Sequence, residues 1–122
     1  MILADTSIWV DHFHFGDPRL RDELNRGAIL MHSFVAGELA LGSLTQRERV
    51  LAEIDSLPMA QVARVDEVRL LIEHRSLFSR GIGYIDAHLL ASVLLTPYTQ
   101  LWTRDKRLRM VAESLGLHAL LD

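Results

Sequence analysis

Short apolar runs alternate with amphipathic stretches from one end of the chain to the other, and turn residues separate them. Residues 2–4 form an apolar run that reads as a buried strand, closed by Asp5-Thr6-Ser7. Ser7 or Thr6 then caps a helix over 8–13. Asp17-Pro18 reads as N-cap and first helical residue of a helix that stops at Gly27. Residues 28–32 form a second buried strand, after which Ser33 caps a helix over 34–41 with Gly42 beyond its end. Thr45-Gln46-Arg47-Glu48 is a capping box, so a helix runs from there to about residue 57, ahead of Pro58. Residues 61–65 read as a third strand, and Asp66 caps a helix reaching residue 77 or 78. Arg80-Gly81-Ile82-Gly83 is a loop, and the next helix, from about 85 to 95, ends before Pro97. Residues 101–103 form a fourth strand, followed by a helix over 105–115 with Gly116 at its C-terminus; 117–121 adds an edge strand.

Strands that are apolar throughout, alternating with helices, predict an α/β fold: a three-layer αβα arrangement with a mainly parallel central sheet of four to five strands, in one domain over 1–122. In such folds the site lies at the carboxyl ends of the strands. The composition fits: 122 residues, 49% hydrophobic and 24% charged, suit one globular domain. The chain has no cysteine, which excludes disulfides, a thiolate metal site and a cysteine nucleophile, and agrees with a reducing cytoplasm. The opening Met1-Ile2-Leu3-Ala4-Asp5 lacks the basic region of a secretory signal. The longest apolar stretch, around 89–95, is interrupted by Ser92 and far shorter than the ~20 residues of a membrane helix, so no membrane span is expected. The formal net charge of -3 argues against a protein that merely coats nucleic acid, but less against an enzyme whose acidic centre is offset by metal.

Four acids stand out. Asp5 and Asp105 each follow a strand. Glu38 shares a helical face with Phe34, Val35 and Leu41, a face expected to turn to the core. Asp86 heads an apolar stripe of Leu89, Leu90 and Val93. Taken singly, Asp5 and Asp105 read as caps, Asp86 as a first-turn acid and Glu38 as a paired core acid. Together they point to one acidic pocket whose hard oxygen ligands suit Mg²⁺, or Mn²⁺.

These segments resemble the PIN-domain nucleases, and more narrowly the VapC-type toxins of VapBC toxin–antitoxin pairs. The resemblance is carried, in order, by Leu3-Ala4-Asp5-Thr6-Ser7, Val35-Ala36-Gly37-Glu38-Leu39 with Gly42, Tyr84-Ile85-Asp86-Ala87 with Ala91, and Leu101-Trp102-Thr103-Arg104-Asp105 with Leu108. It implies that Asp5, Glu38, Asp86 and Asp105 are the metal-binding and catalytic acids of an endoribonuclease, that Ser7 and Thr103 support the site, and that hydrolysis leaves a 5′-phosphate. It further implies a VapB-type antitoxin as partner, RNA as substrate and a homodimer. Leu108 stands where family members commonly carry an aromatic or other apolar residue, and Asp105 is the acid whose direct contact with metal varies most.

Arg80, Arg104, Lys106 and Arg107, with Arg109, lie near the acids in sequence and are candidates for phosphate contacts; some of them simply solvate the last helix. Trp9 and Trp102 read as core. His12 and His14 cannot share a helical face and read as surface residues, His88 points away from Asp86, and His32 ends a strand near the site. Two other classes compete: a non-catalytic PIN-like RNA-binding protein, and a receiver-type phosphoacceptor domain. A receiver needs adjacent acids after its first strand, where this chain has Thr6-Ser7, and a lysine after its last, whereas Lys106 follows Asp105 at a helix start.

Overall fold

A computed structural model describes residues 1–121. Its elements follow in the order β1 (Ile2–Ala4), α1 (Thr6–Phe15), α2 (Pro18–Asn25), β2 (Ile29–Leu30), α3 (Ser33–Leu41), α4 (Arg47–Asp55), α5 (Val65–His74), α6 (Tyr84–Leu95), β3 (Gln100–Trp102) and α7 (Lys106–Ser114). The sheet order is β2-β1-β3, and both pairings are parallel. Ile2 and Leu3 pair with Ile29 and Leu30 on one side, and Ile2, Leu3 and Ala4 with Gln100, Leu101 and Trp102 on the other. Leu3, Ala4, Leu101 and Trp102 are wholly buried, as a parallel sheet covered on both faces requires. Helices α1, α3 and α4 pack in succession, while α5 packs on α6 and α6 on β3. The expected α/β arrangement of helices around a parallel central sheet is present.

The sheet has fewer full strands than expected. Residues 61–64 are irregular; the segment touches the sheet only through a parallel bridge from Met31 to Met59. Ala60 and Ala63 are buried while Gln61 and Val62 face out, a spacing of three that a two-residue pleat cannot satisfy. On the other edge the expected strand over 117–121 shrinks to one parallel bridge, Leu101 to His118. Several caps also move. Asp5 caps α1, its carboxylate accepting from Ile8 N–H, and His32 caps α3 in place of Ser33. The N-cap of α4 is Gln46, left-handed at φ 54° and without a side-chain cap, so the Thr45–Glu48 box does not form. Arg64, in place of Asp66, is the N-cap of α5, its backbone N–H donating to Glu67.

No helix among the described residues is long and apolar enough to cross a membrane.

Candidate active site

Asp5 leaves β1 at its carboxyl end, and its backbone N–H donates to Trp102 of β3. Asp5 is only 5% exposed. Ser7 Oγ donates to its Oδ1 at 2.5 Å, Ile8 N–H donates to the same oxygen at 3.3 Å, and Thr103 Oγ1 donates to Oδ2. Burial nevertheless raises its pKa above the ordinary 3.8, and the charge of Asp86 pushes the same way against those three donors.

Asp86 sits in the first turn of α6, half-buried, its Oδ2 accepting from Gly83 N–H at 3.0 Å. Its pKa is also raised, by burial first and then by Asp105 and Glu38. Asp105 is the N-cap of α7: Oδ1 accepts from Arg107 and Leu108 N–H at 3.0 and 3.1 Å, and its own N–H donates to Thr103 Oγ1 at 3.0 Å. Thr103 therefore ties Asp5 to Asp105, while Ser7 Oγ accepts from Arg104 N–H at 3.1 Å and ties α1 to the same turn.

Glu38 departs from the expectation. Val35 and Leu39 form the buried side of α3, whereas Glu38 is exposed and Leu41 is 90% exposed. The helix carries apolar residues all round, so spacing alone could not choose its inner face. Thr6 Oγ1 donates to Glu38 Oε1 at 2.8 Å and joins α3 to the start of α1. Thr6 reads as a cap in the sequence, and nothing there signals this contact across 32 residues.

Asp86 thus feels the charges of Asp105 and Glu38, Asp5 feels that of Asp86, and among the described residues none of the four acids forms an ion pair. No three His, Asp or Glu side chains among the described residues form a ready-made cation cage.

The basic residues divide. Arg104 gives Nη1 to Asp11 at 2.9 Å and Nη2 to Asp17, with its guanidinium 5.5 Å from the Trp102 ring centroid. That clamp holds the turn before Asp105 against α1 and the start of α2. Arg80 donates to Ser114 Oγ at 3.3 Å, toward the far end of α7. Lys106 is exposed at the start of α7, and Arg107 lies across the backbone of Gly81. Trp9 and Trp102 are buried. His12 is only partly exposed and accepts from Asp17 N–H at 3.0 Å, so it is a structural link and not a plain surface residue; His14 is exposed. His88 is buried between the rings of Phe34 and Tyr84.

A carboxylate set at the carboxyl edge of a short parallel sheet, held by Ser and Thr hydroxyls, agrees with a PIN-domain family model that matches residues 2–114, and the chain belongs to the PIN-domain family. The receiver-type alternative falls with that match. Over 117 residues the chain is 44% identical to ribonuclease VapC32 of Mycobacterium tuberculosis, in two strains, covering 96% of this chain and 94% of the relative.

Proposed function

We propose that the chain is a metal-dependent endoribonuclease, the toxin of a VapBC-type pair, that hydrolyses RNA phosphodiester bonds at Asp5, Glu38, Asp86 and Asp105. The main support is electrostatic. Burial first, and then the charges of Asp105 and Glu38, push Asp86 upward, and burial with a smaller push from Asp86 does the same to Asp5, with no counter-cation among the described residues. Uncompensated carboxylates of this kind are stabilised by a hard divalent cation, and oxygen donors suit Mg²⁺ or Mn²⁺. The near-full-length likeness to a protein named a ribonuclease supports the same reading.

Asp5, Asp86 and Glu38 would hold the cation, with Asp105 contributing from the N-cap of α7. When bound, the cation supplies positive charge against the phosphate and lowers the pKa of a water. The protein's own part is orientation. Ser7 and Thr103 keep the Asp5 carboxylate fixed and favour its ionised form, Gly83 aims Asp86, and Thr6 restrains Glu38. Asp86, with its raised pKa, is suited to accept a proton from the attacking water, because a base works best with a pKa nearer the working pH.

A VapB-type antitoxin is the proposed partner, and the site would work in a cytoplasmic homodimer. An apolar recess of about 270 Å³ between α1, α2 and α4, lined by Trp9, Phe13, Leu24, Val50 and Ile54, offers surface for a partner segment.

Purified protein is expected to cut RNA in Mg²⁺ or Mn²⁺ and to stop when the metal is chelated. Asp5→Asn and Asp86→Asn, each checked for folding by circular dichroism, should lower the rate ~100-fold or more. A wild-type protein that binds RNA yet cuts none in either metal would be a non-catalytic RNA-binding protein instead.

A further inference from the structure

The loop between α5 and α6 does more than anchor Asp86. On one side of it a recess of about 210 Å³ is walled by Leu77, Phe78, Ile82, Tyr84 and Ala87, with Gly83 at its edge. Leu77 and Ala87 are buried, but Phe78 is 55% and Tyr84 47% exposed, a large solvent share for two neighbouring aromatic rings. The Tyr84 ring is braced by His88, with centroids 4.7 Å apart and planes at 88°. No charged residue lines the recess. It is also smaller than the ~300–1,000 Å³ of pockets that enclose drug-sized ligands. Gly83, which lines it, is the same residue whose N–H holds Asp86, so recess and acids adjoin.

On the same loop, Gly81 adopts φ +81° and a Cβ there would lie 2.6 Å from Arg107 Cδ and 2.8 Å from Nη1. The Arg107 side chain is thus laid along bare backbone. Among the described residues its guanidinium makes no ion pair, although its backbone N–H is held by Asp105. An apolar, ring-edged recess and an unpaired guanidinium therefore flank one loop beside the acids.

We propose that this recess is a nucleobase subsite, in which one base of the RNA strand sits against Phe78 and Tyr84 while Arg107 takes a phosphate oxygen of the same strand. It rests on the nuclease reading above. Apolar walls and ring faces accept the flat face of any base, so the subsite adds affinity and register without reading sequence. Continuity with the acids, and a positive charge where the backbone would run, favour RNA over a protein side chain as occupant.

The test compares a labelled single-stranded RNA oligomer of mixed sequence with a fully abasic oligomer of the same length, binding measured in chelator. Wild type should bind the base-bearing strand ~10-fold or more tightly, in line with base–aromatic stacking. Phe78→Ser and Tyr84→Ala should close most of that gap without weakening abasic binding, and Phe78→Tyr should keep it. Arg107→Gln should weaken both strands alike and reduce the slope of log affinity on log salt by about 0.7. The subsite is overturned if wild type shows no gap or if the Phe78 and Tyr84 variants retain it. It is equally overturned if Phe78→Ser shifts the free protein to a smaller sedimenting species with the gap intact, since the recess then joins two copies of the chain. Magnesium-dependent cleavage of RNA by the same wild-type preparation separates the two levels: cleavage without a gap removes only the subsite, whereas neither cleavage nor binding removes both.

Discussion

His32 is fully buried at the end of β2, and its two ring nitrogens do different things. Nδ1 accepts from Phe34 N–H at 2.9 Å and so carries no proton; Nε2 therefore holds the proton and donates to Ser92 Oγ on α6 at 2.9 Å. Burial, helped by the neighbouring His88, lowers its pKa from 6.5 to about 4. A histidine depressed in the folded state binds its proton more readily when unfolded. Its contribution is thus fully present above pH 6.5 and is lost as pH falls from there toward 4. The loss reaches on the order of 3 kcal/mol. His32→Asn keeps a capping oxygen for Phe34 N–H but does not titrate. Chemical denaturation at a series of pH values should show this variant less stable than wild type at pH 7 by ~1–3 kcal/mol, with a shallower decline between pH 6.5 and 4. Equal slopes for the two proteins would mean that His32 is not the group that senses acid.

At the scale of elements, the loop leading into α6 makes a separable prediction. Gly81→Ala places a side chain at φ +81° and against Arg107, so it should cost ~1 kcal/mol of stability. It should also displace the guanidinium and reproduce the salt-dependent loss of RNA affinity expected for Arg107→Gln. Thermal melting reads the first effect and binding at two salt concentrations the second; melting lowered with unchanged RNA affinity would show that Arg107 has no part in binding. The elements themselves were legible in the sequence where local chemistry and burial agree. Asp17-Pro18 opens α2 as read, because an Asx cap and a fixed φ act within one turn. The buried strands β1 and β3 announce themselves as apolar runs, and the acids that follow them mark the sheet edge. Three features were not legible, each settled by distant contacts. The inner face of α3 is chosen by its neighbours, since the helix is apolar all round. The segment after Pro58 meets the sheet at Met59, and not over 61–65, because pairing with Met31 decides it. The salt links of Arg104 to Asp11 and Asp17 span 93 and 87 residues, beyond any local pattern, which is why the sequence offered Arg104 as a phosphate contact while the structure engages it as a clamp.

For the whole molecule, the parallel order β2-β1-β3 puts like charges at one edge, and that arrangement opposes folding at neutral pH. Asp5 and Asp86 have folded-state pKa values raised above 3.8, so the folded protein holds their protons more readily than the unfolded chain does. A raised acid favours folding below 3.8 and loses that advantage as pH rises through its folded value. A divalent cation bound there would reverse the penalty, and it would do so only where the carboxylates are ionised. Saturating Mg²⁺ or Mn²⁺ at pH 7, at about a hundredfold excess over its Kd, should therefore add ~2.7 kcal/mol and raise the melting temperature by roughly 10 °C. At pH 4, where protons compete for the same oxygens, the shift should shrink markedly. Asp5→Asn should melt no lower than wild type without metal, since it removes a buried charge while keeping a polar side chain of the same shape, and it should respond little to added cation. Differential scanning fluorimetry over pH and metal concentration reads all of these. If the wild-type melting temperature ignores both cations at pH 7 while the protein is demonstrably folded, the acids are not a metal centre, and their mutual repulsion must be relieved by something other than a cation.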